Sequence, residues 1–306
     1  CPYRTRVCMD IQFFIELFCG GLTRGSIYAL IALGYTLVYG IIGLINFAHG
    51  EVYMLGSFTA LLIAGALGVY GFPAGGILIV AALAAIVWCS AYGYTLEKVA
   101  YKPLRGAPRL SPLISAIGMS IFLQNYVLLA QTSDFVPFPN LLPEMAFLEH
   151  IDYVMGASDF LILLVSTIAM ILLSVFIRYT RMGKAMRATA QNRKMALLLG
   201  INADRIISLT FIIGSALAAL GGVLIASHMG QVNFGIGFLA GLKAFTAAVL
   251  GGIGSIPGAM VGGLVLGLAE SFTTGYFSGN YEDMLAFRIL ILILIFRPDG
   301  ILGQAT

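Results

Sequence analysis

The chain has 306 residues, of which 59% are hydrophobic and only 10% charged, against a usual charged share of about 25%. Together with a mean hydropathy of +0.96, this excludes a cytosolic globular enzyme, a nucleic-acid binder and a disordered protein, and leaves a polytopic membrane protein. The net charge of +3 carries no nucleic-acid signal, because the 17 Lys and Arg gather in a few short loops, and the four cysteines, Cys1, Cys8, Cys19 and Cys89, form no CxxC pair or ligand cluster.

Residues 1–8 lack an initiating Met and are set aside as a leader or an added segment; residues 9–303 are read as one transmembrane domain and 304–306 as a tail. A hydrocarbon core of roughly 30 Å needs about 20 mostly apolar residues per helix. Candidate spans fall around 13–40, 52–70, 74–94, 112–130, 160–177, 206–227, 239–269 and 284–297. The expected architecture is therefore an all-α, polytopic transmembrane helical bundle of about eight spans. The regions 13–40 and 239–269 are too long and too rich in Gly for one straight helix, so breaks or re-entrant pairs in them would raise the number to ten.

Loop charges orient the bundle. Residues 97–109 hold Lys98, Lys102, Arg105 and Arg109 against Glu97, and 178–205 hold seven Lys and Arg against Asp204, which makes both loops cytoplasmic. Residues 131–159 carry Asp134, Glu144, Glu149, Asp152 and Asp159 with no Lys or Arg, and form an extracytoplasmic loop. Glu282 and Asp283 fall outside and Arg297 inside; the side of the N-terminus depends on whether 13–40 crosses once or twice.

Sliding the chain by 187 residues aligns 46–65 with 233–252, with identities at Asn46/Asn233, Phe47/Phe234, Gly50/Gly237, Leu55/Leu242, Phe58/Phe245, Thr59/Thr246, Ala60/Ala247 and Gly65/Gly252. Transporters built from duplicated halves bring the copies together at a midplane pathway, so both segments become candidate lining. Asn46, Phe47, His49, Glu51, Asn233, Phe234 and Lys243 are the candidate pathway residues. His49 and Glu51 have two readings: a polar strip beside the pathway, or two groups that satisfy one another at a helix end. Lys243 and Glu270 are the other ionisable groups at or near an apolar segment, where such groups face a bundle interior or a cavity, although Lys243 can equally snorkel to an interface.

The run 251–267, GGIGSIPGAMVGGLVLG, places small residues four apart, a spacing for close helix approach, with Pro257 at a helix start. GxxxxGK[ST] is absent from the whole sequence, so ATP hydrolysis is not expected of this chain, and no His, Asp and Glu spacing marks a catalytic or metal cluster. In 183–206, apolar Met186, Ala190, Met195, Leu198 and Leu199 alternate with Arg187, Arg193 and Lys194, and Gly200 can cap the helix. Such an amphipathic helix lies on lipid or docks in a groove of a soluble partner.

The segments 28–56, 115–127, 197–211 and 243–270 closely resemble the LivH family, permeases of bacterial ABC importers for branched-chain amino acids, and the similarity runs from about Met9 to Gly303. The resemblance implies a multi-pass inner-membrane subunit without cofactor of its own. It implies a LivM-like second permease, two cytoplasmic ATPase subunits, LivG-like and LivF-like, that bind ATP and Mg, and a periplasmic amino-acid-binding protein. The resemblance also makes the 131–159 loop periplasmic and 178–205 a coupling loop, with Gln191, Arg193, Lys194, Met195, Leu198, Leu199, Gly200 and Asp204 as the ATPase-coupling residues. Rival readings keep the architecture with urea, amides or other amino acids as cargo, or replace it with an ion-coupled secondary transporter, for which few buried ionisable groups are available.

Overall fold

A backbone that crosses lipid must satisfy its own hydrogen bonds, and this chain does so almost entirely in helices. The computed structural model describes residues 2–108, 110–141, 156–297 and 299–303. Its helices are α1 (Pro2–Ile42), α2 (His49–Val69), α3 (Ala74–Leu96), α4 (Leu110–Ala130), α5 (Ala157–Tyr179), α6 (Arg181–Gln191), α7 (Arg193–Leu198), α8 (Ala203–Met229), α9 (Ile236–Gly251), α10 (Ile256–Tyr276) and α11 (Glu282–Phe296). A two-residue ribbon pairs β1 (Val136–Pro137) antiparallel with β2 (Gln231–Val232), tying the loop after α4 to the link between α8 and α9. Glu144, Glu149 and Asp152 of the expected periplasmic loop, and the 304–306 tail, lie outside the described residues.

Among the described residues seven helices are long and apolar enough to cross a membrane, and α9 and α11, with 16 and 15 residues, are shorter. The structure differs from the expected spans in two places and carries the expected break in a third. Region 13–40 contains no break, because α1 continues through its glycines to Ile42, and its residues cross once. Region 239–269 is two helices, broken where Gly252 and Gly254 adopt φ of 105° and 93°, conformations closed to most L-residues, and Ser255 then caps α10 by accepting from Gly258 N. Finally, α2 starts three residues before 52, which puts His49 and Glu51 in its first turn.

Sequence explains how each helix is placed. Along α3 the buried positions Ile77, Ala81, Ala85, Cys89 and Gly93 recur every four residues on the side packed against α2 and α8, with Cys89 against Val52 of α2 and Gly93 against Ser215 of α8, while Ile79, Val80, Leu83, Val87 and Trp88 are exposed. A soluble protein would hide such a face; here it meets lipid or another membrane subunit. The deepest helices, α1 and α8, pack antiparallel: Arg24 shares a cavity with His228 at one end, and Val38 packs on Ile207 and Phe211 at the other. The latter end also holds Arg105 and Asp204, and is the cytoplasmic one by loop charge.

The 187-residue offset extends beyond the aligned sequence into the backbone. Helix α1 ends at Ile42 and α8 at Met229, followed by Gly43 (φ 70°) and Gly230 (φ 66°). Each left-handed glycine leads into a short unwound link with the same turn, His49 N to Asn46 O at 3.0 Å and Ile236 N to Asn233 O at 3.4 Å. Helices α2 and α9 then start at residues 49 and 236. Since α1 and α8 run in opposite directions, the two units are inverted copies.

Glycine is required where backbones touch. A Cβ on Gly267 would overlap the backbone of Gly25, and one on Gly263 would overlap Ala29, so α1 and α10 approach closely through the small-residue run. The substitution Gly267→Val is expected to destabilise the solubilised chain by about 1–3 kcal/mol through overpacking. Gly65→Val, where a Cβ meets open space, should leave the unfolding midpoint unchanged; equal midpoints for the two variants would refute this account of the crossing.

Candidate functional site

The two repeat copies meet at the starts of α2 and α9. A Cβ on Gly50 would collide with the Gly237 carbonyl, and Gly241 faces the Cα of Gly50. Glu51, fully buried, accepts a 3.0 Å hydrogen bond from Ser120 of α4 at Oε1, while Oε2 faces Gly237 without a hydrogen-bond partner. His49 does not pair with Glu51. Its ring stands edge-on to Tyr35 at 4.8 Å and fills the space that a Cβ on Gly34 would need. Asn46 accepts a 2.7 Å bond from the Tyr101 hydroxyl, which ties the unwound link after α1 to the π-helical turn Glu97–Tyr101.

Two cavities flank this crossing. The larger, about 270 Å³, is lined by Asn233 and Lys243 among the candidate pathway residues, together with Tyr28, Tyr53, Glu282 and the apolar Ile225, Met229, Ile236 and Leu239. The smaller, about 140 Å³, includes Phe47 with Tyr35, Ser120 and Gln124. Thus Asn233 and Lys243 come together, Phe47 lies across the crossing, and Phe234 packs partly buried against the core. Asn46, His49 and Glu51 are buried between helices.

Lys243 faces the interior rather than snorkelling. Its ammonium donates to Glu282 Oε1 at 2.5 Å and lies 2.9 Å from Asp283 Oδ1 and 3.3 Å from Glu270 Oε1. Tyr28 donates to Glu270 Oε2 at 2.8 Å, and Arg24 reaches Glu282 at 3.4 Å. Sequence reasoning singled out Lys243 and Glu270 as interior groups but placed Glu282 and Asp283 outside and did not join the four. The signal was Lys243 itself, an ammonium on an apolar helix that demands an acid, but three acids were available and no spacing selects among them.

The other charged cluster lies at the cytoplasmic end. Arg105 bridges Asp204 (2.5 Å) and the fully buried Glu97, while Ser208 donates to Glu97 Oε2 at 2.7 Å. Arg193, at the start of α7, also reaches Asp204, at 3.2 Å. Asp204 and Arg193 therefore join α7 to α8 and to the end of α3. Three side-chain caps cut the coupling loop into pieces: Thr180 accepts from Gly183 N, Asn192 from Met195 N and Asn202 from Arg205 N. The loop is two helices, not one. Helix α6 buries Gly183, Met186 and Thr189, whereas α7 buries only Ala196. Gln191 and Lys194 are exposed, and Met195, Leu197, Leu198 and Leu199 present an open apolar face in which Leu198 is 82% exposed. Gly200 follows at φ 79° and turns the chain back toward α8.

Removing Arg105 strands a buried carboxylate. Arg105→Ala is expected to cost about 3 kcal/mol in unfolding of the solubilised chain, and the cycle with Glu97→Gln should show a coupling of at least about 1 kcal/mol. Strict additivity of the two substitutions would show that the bridge does not hold α3 to α8.

A family model described as branched-chain amino acid transport system / permease component matches residues 17–294. The permease LivH of Escherichia coli K12 is 53% identical over 296 residues, 95% of this chain and 96% of that protein. BraD of Pseudomonas aeruginosa is 54% identical over 299 residues, covering 96% and 97%. Both are described as high-affinity branched-chain amino acid transport system permease proteins. A solved metal-chelate type ABC transporter in an inward-facing conformation aligns with a TM-score of 0.50 over 96% of this chain and 89% of that one; at 14% identity it shows the shared fold alone. With its membrane-length helices and this similarity over nearly its full length, the chain is a multi-pass inner-membrane protein that belongs to the family of branched-chain amino acid transport system permease components.

Proposed function

We propose that this chain is one membrane subunit of an ATP-driven importer for leucine, isoleucine and valine, and that it performs no catalysis of its own. The observation that carries the cargo is the identity to LivH and BraD along almost the full length of both chains. It pairs with a LivM-like permease, receives cargo from a periplasmic binding protein, and is driven by LivG-like and LivF-like ATPases that hold ATP and Mg.

The coupling step is supported by the geometry of α7. An exposed apolar face of Met195, Leu197, Leu198 and Leu199, with Lys194 beside it, suits a groove on a soluble partner, and its other side is fixed to the bundle. When the ATPases close, displacement of α7 reaches Asp204 through Arg193, then Glu97 and α3 through Arg105. From the π-helical turn at 97–101, Tyr101 carries it to Asn46 and the link between α1 and α2. That link precedes the α2–α9 crossing, so motion at the cytoplasmic end changes the angle at which the two repeat units meet.

Labelled leucine uptake into proteoliposomes, with each subunit omitted in turn, is expected to need every component and ATP, with competition by isoleucine and valine. Uptake of urea in place of leucine would refute the cargo, and uptake by this chain alone on an ion gradient would refute the ATP-driven mechanism. Leu198→Asp places a charge where the apolar contact forms and is expected to lower leucine uptake at least about tenfold with insertion intact. Wild-type uptake and cargo-stimulated ATP hydrolysis in that variant would remove α7 from the coupling role.

A further inference from the structure

Coupling and fold leave the larger cavity without a role. Its walls are of two kinds: Ile225, Met229 and Leu239 form an apolar side, and Lys243, Glu282 and Asn233 a polar one. At about 270 Å³ it lies just under the roughly 300–1,000 Å³ of pockets for drug-sized ligands, which suits a smaller solute. The Asn233 Oδ1 atom is buried without a hydrogen-bond partner, an acceptor that costs free energy until a donor arrives. Nearby, Arg24 and Lys243 face three carboxylates, Glu270, Glu282 and Asp283, so the cluster holds one more negative group than positive.

We propose that this cavity is a transient seat for a free amino acid with a short aliphatic side chain. The ammonium is met by Glu282 and Asn233 Oδ1, the carboxylate by Lys243, and the side chain by Ile225, Met229 and Leu239. A zwitterion meets both signs of the adjacent Lys243–Glu282 pair without adding net charge to the interior, and the surplus carboxylate draws the ammonium inward. A bare cation would have no use for the apolar wall, and a lipid chain none for the charges. Gln231 of the outer ribbon and Phe135, which precedes β1, border the same cavity, so the seat opens toward the side from which cargo comes. This seat rests on the reading of the chain as a branched-chain amino acid permease.

Leu239 lines the cavity and is half exposed, so its replacement can change the cavity's size without opening the core. In the reconstituted importer, with binding protein saturated by labelled leucine or labelled valine, Leu239→Trp is expected to lower the leucine-to-valine uptake ratio about tenfold, and Leu239→Ala to raise it. Asn233→Leu, which removes the orphaned acceptor in similar volume, is expected to raise the KM for loaded binding protein with cargo-stimulated ATPase activity retained. An unchanged ratio in both Leu239 variants, or an unchanged KM in Asn233→Leu, overturns the seat while leucine uptake by the wild-type importer leaves the function standing. Failure of the wild-type importer to take up leucine overturns the function and the seat together.

Discussion

Apolar helices in lipid gain little by exchanging lipid tails for each other, so they associate through close packing and through polar groups that lack another outlet. In this chain the close packing is glycine against backbone. Gly25 and Gly267 let α1 and α10 touch, Gly222 lies against the Tyr53 carbonyl of α2, and Gly50 lies against Gly237 and Gly241. Each contact fixes a crossing that a methyl group would forbid. The Gly50 contact differs from the others because it joins equivalent positions of two inverted copies, so the pseudo-symmetry is pinned at one point while the outer faces of α3, α4 and α5 remain free to meet lipid or a second subunit.

Among the described residues, two clusters set buried charge against charge, and each lies at a joint between elements. Lys243 on α9 is held by acids from α10 and α11, and Arg105, after α3, is held by Glu97 and by Asp204 of α8. Neither set makes a strong case for stability alone, since desolvation offsets much of the Coulomb gain. Their consequence is geometric: a buried charge that loses its partner is costly, so the joined helices move together or not at all. The outer joint borders a cavity, and the inner joint borders the one cytoplasmic helix whose apolar face is open among the described residues.

Much of this was legible in the sequence, and the limits have physical causes. Span positions follow from apolar run length, and the break in 239–269 follows from Gly252, Gly254 and Pro257. The same reasoning failed for 13–40, where glycines also recur, because Gly21 and Gly25 serve contact with α10 rather than a turn; a glycine's sequence position does not say which task it has. The repeat was readable from Asn46/Asn233 and Gly50/Gly237, yet its inverted sense required helix directions. Lys243 and Glu270 were visible as ionisable groups on apolar segments, whereas their pairing and the roles of Glu282 and Asp283 are defined only by how α10 and α11 pack. Arg105 read as one loop charge among several, since nothing local distinguishes an exposed arginine from one bridging two acids 107 positions apart in the sequence, 97 and 204.

The two joints also explain why the α2–α9 crossing can serve as the moving part. A crossing built mainly from backbone contacts has few long side chains to unthread, so it can pivot while breaking few interactions. Glu51 stands beside it with one oxygen held by Ser120 and the other against Gly237, which couples α4 to the same pivot. Tyr101, hydrogen-bonded to Asn46, reaches the pivot from the cytoplasmic joint, and Lys243, two turns along α9, reaches it from the outer one. A displacement imposed at α7 and a solute held near Lys243 therefore act on one geometric variable from opposite ends, the angle between the inverted units. That is the arrangement an importer needs if energy supplied in the cytoplasm is to depend on what arrives outside.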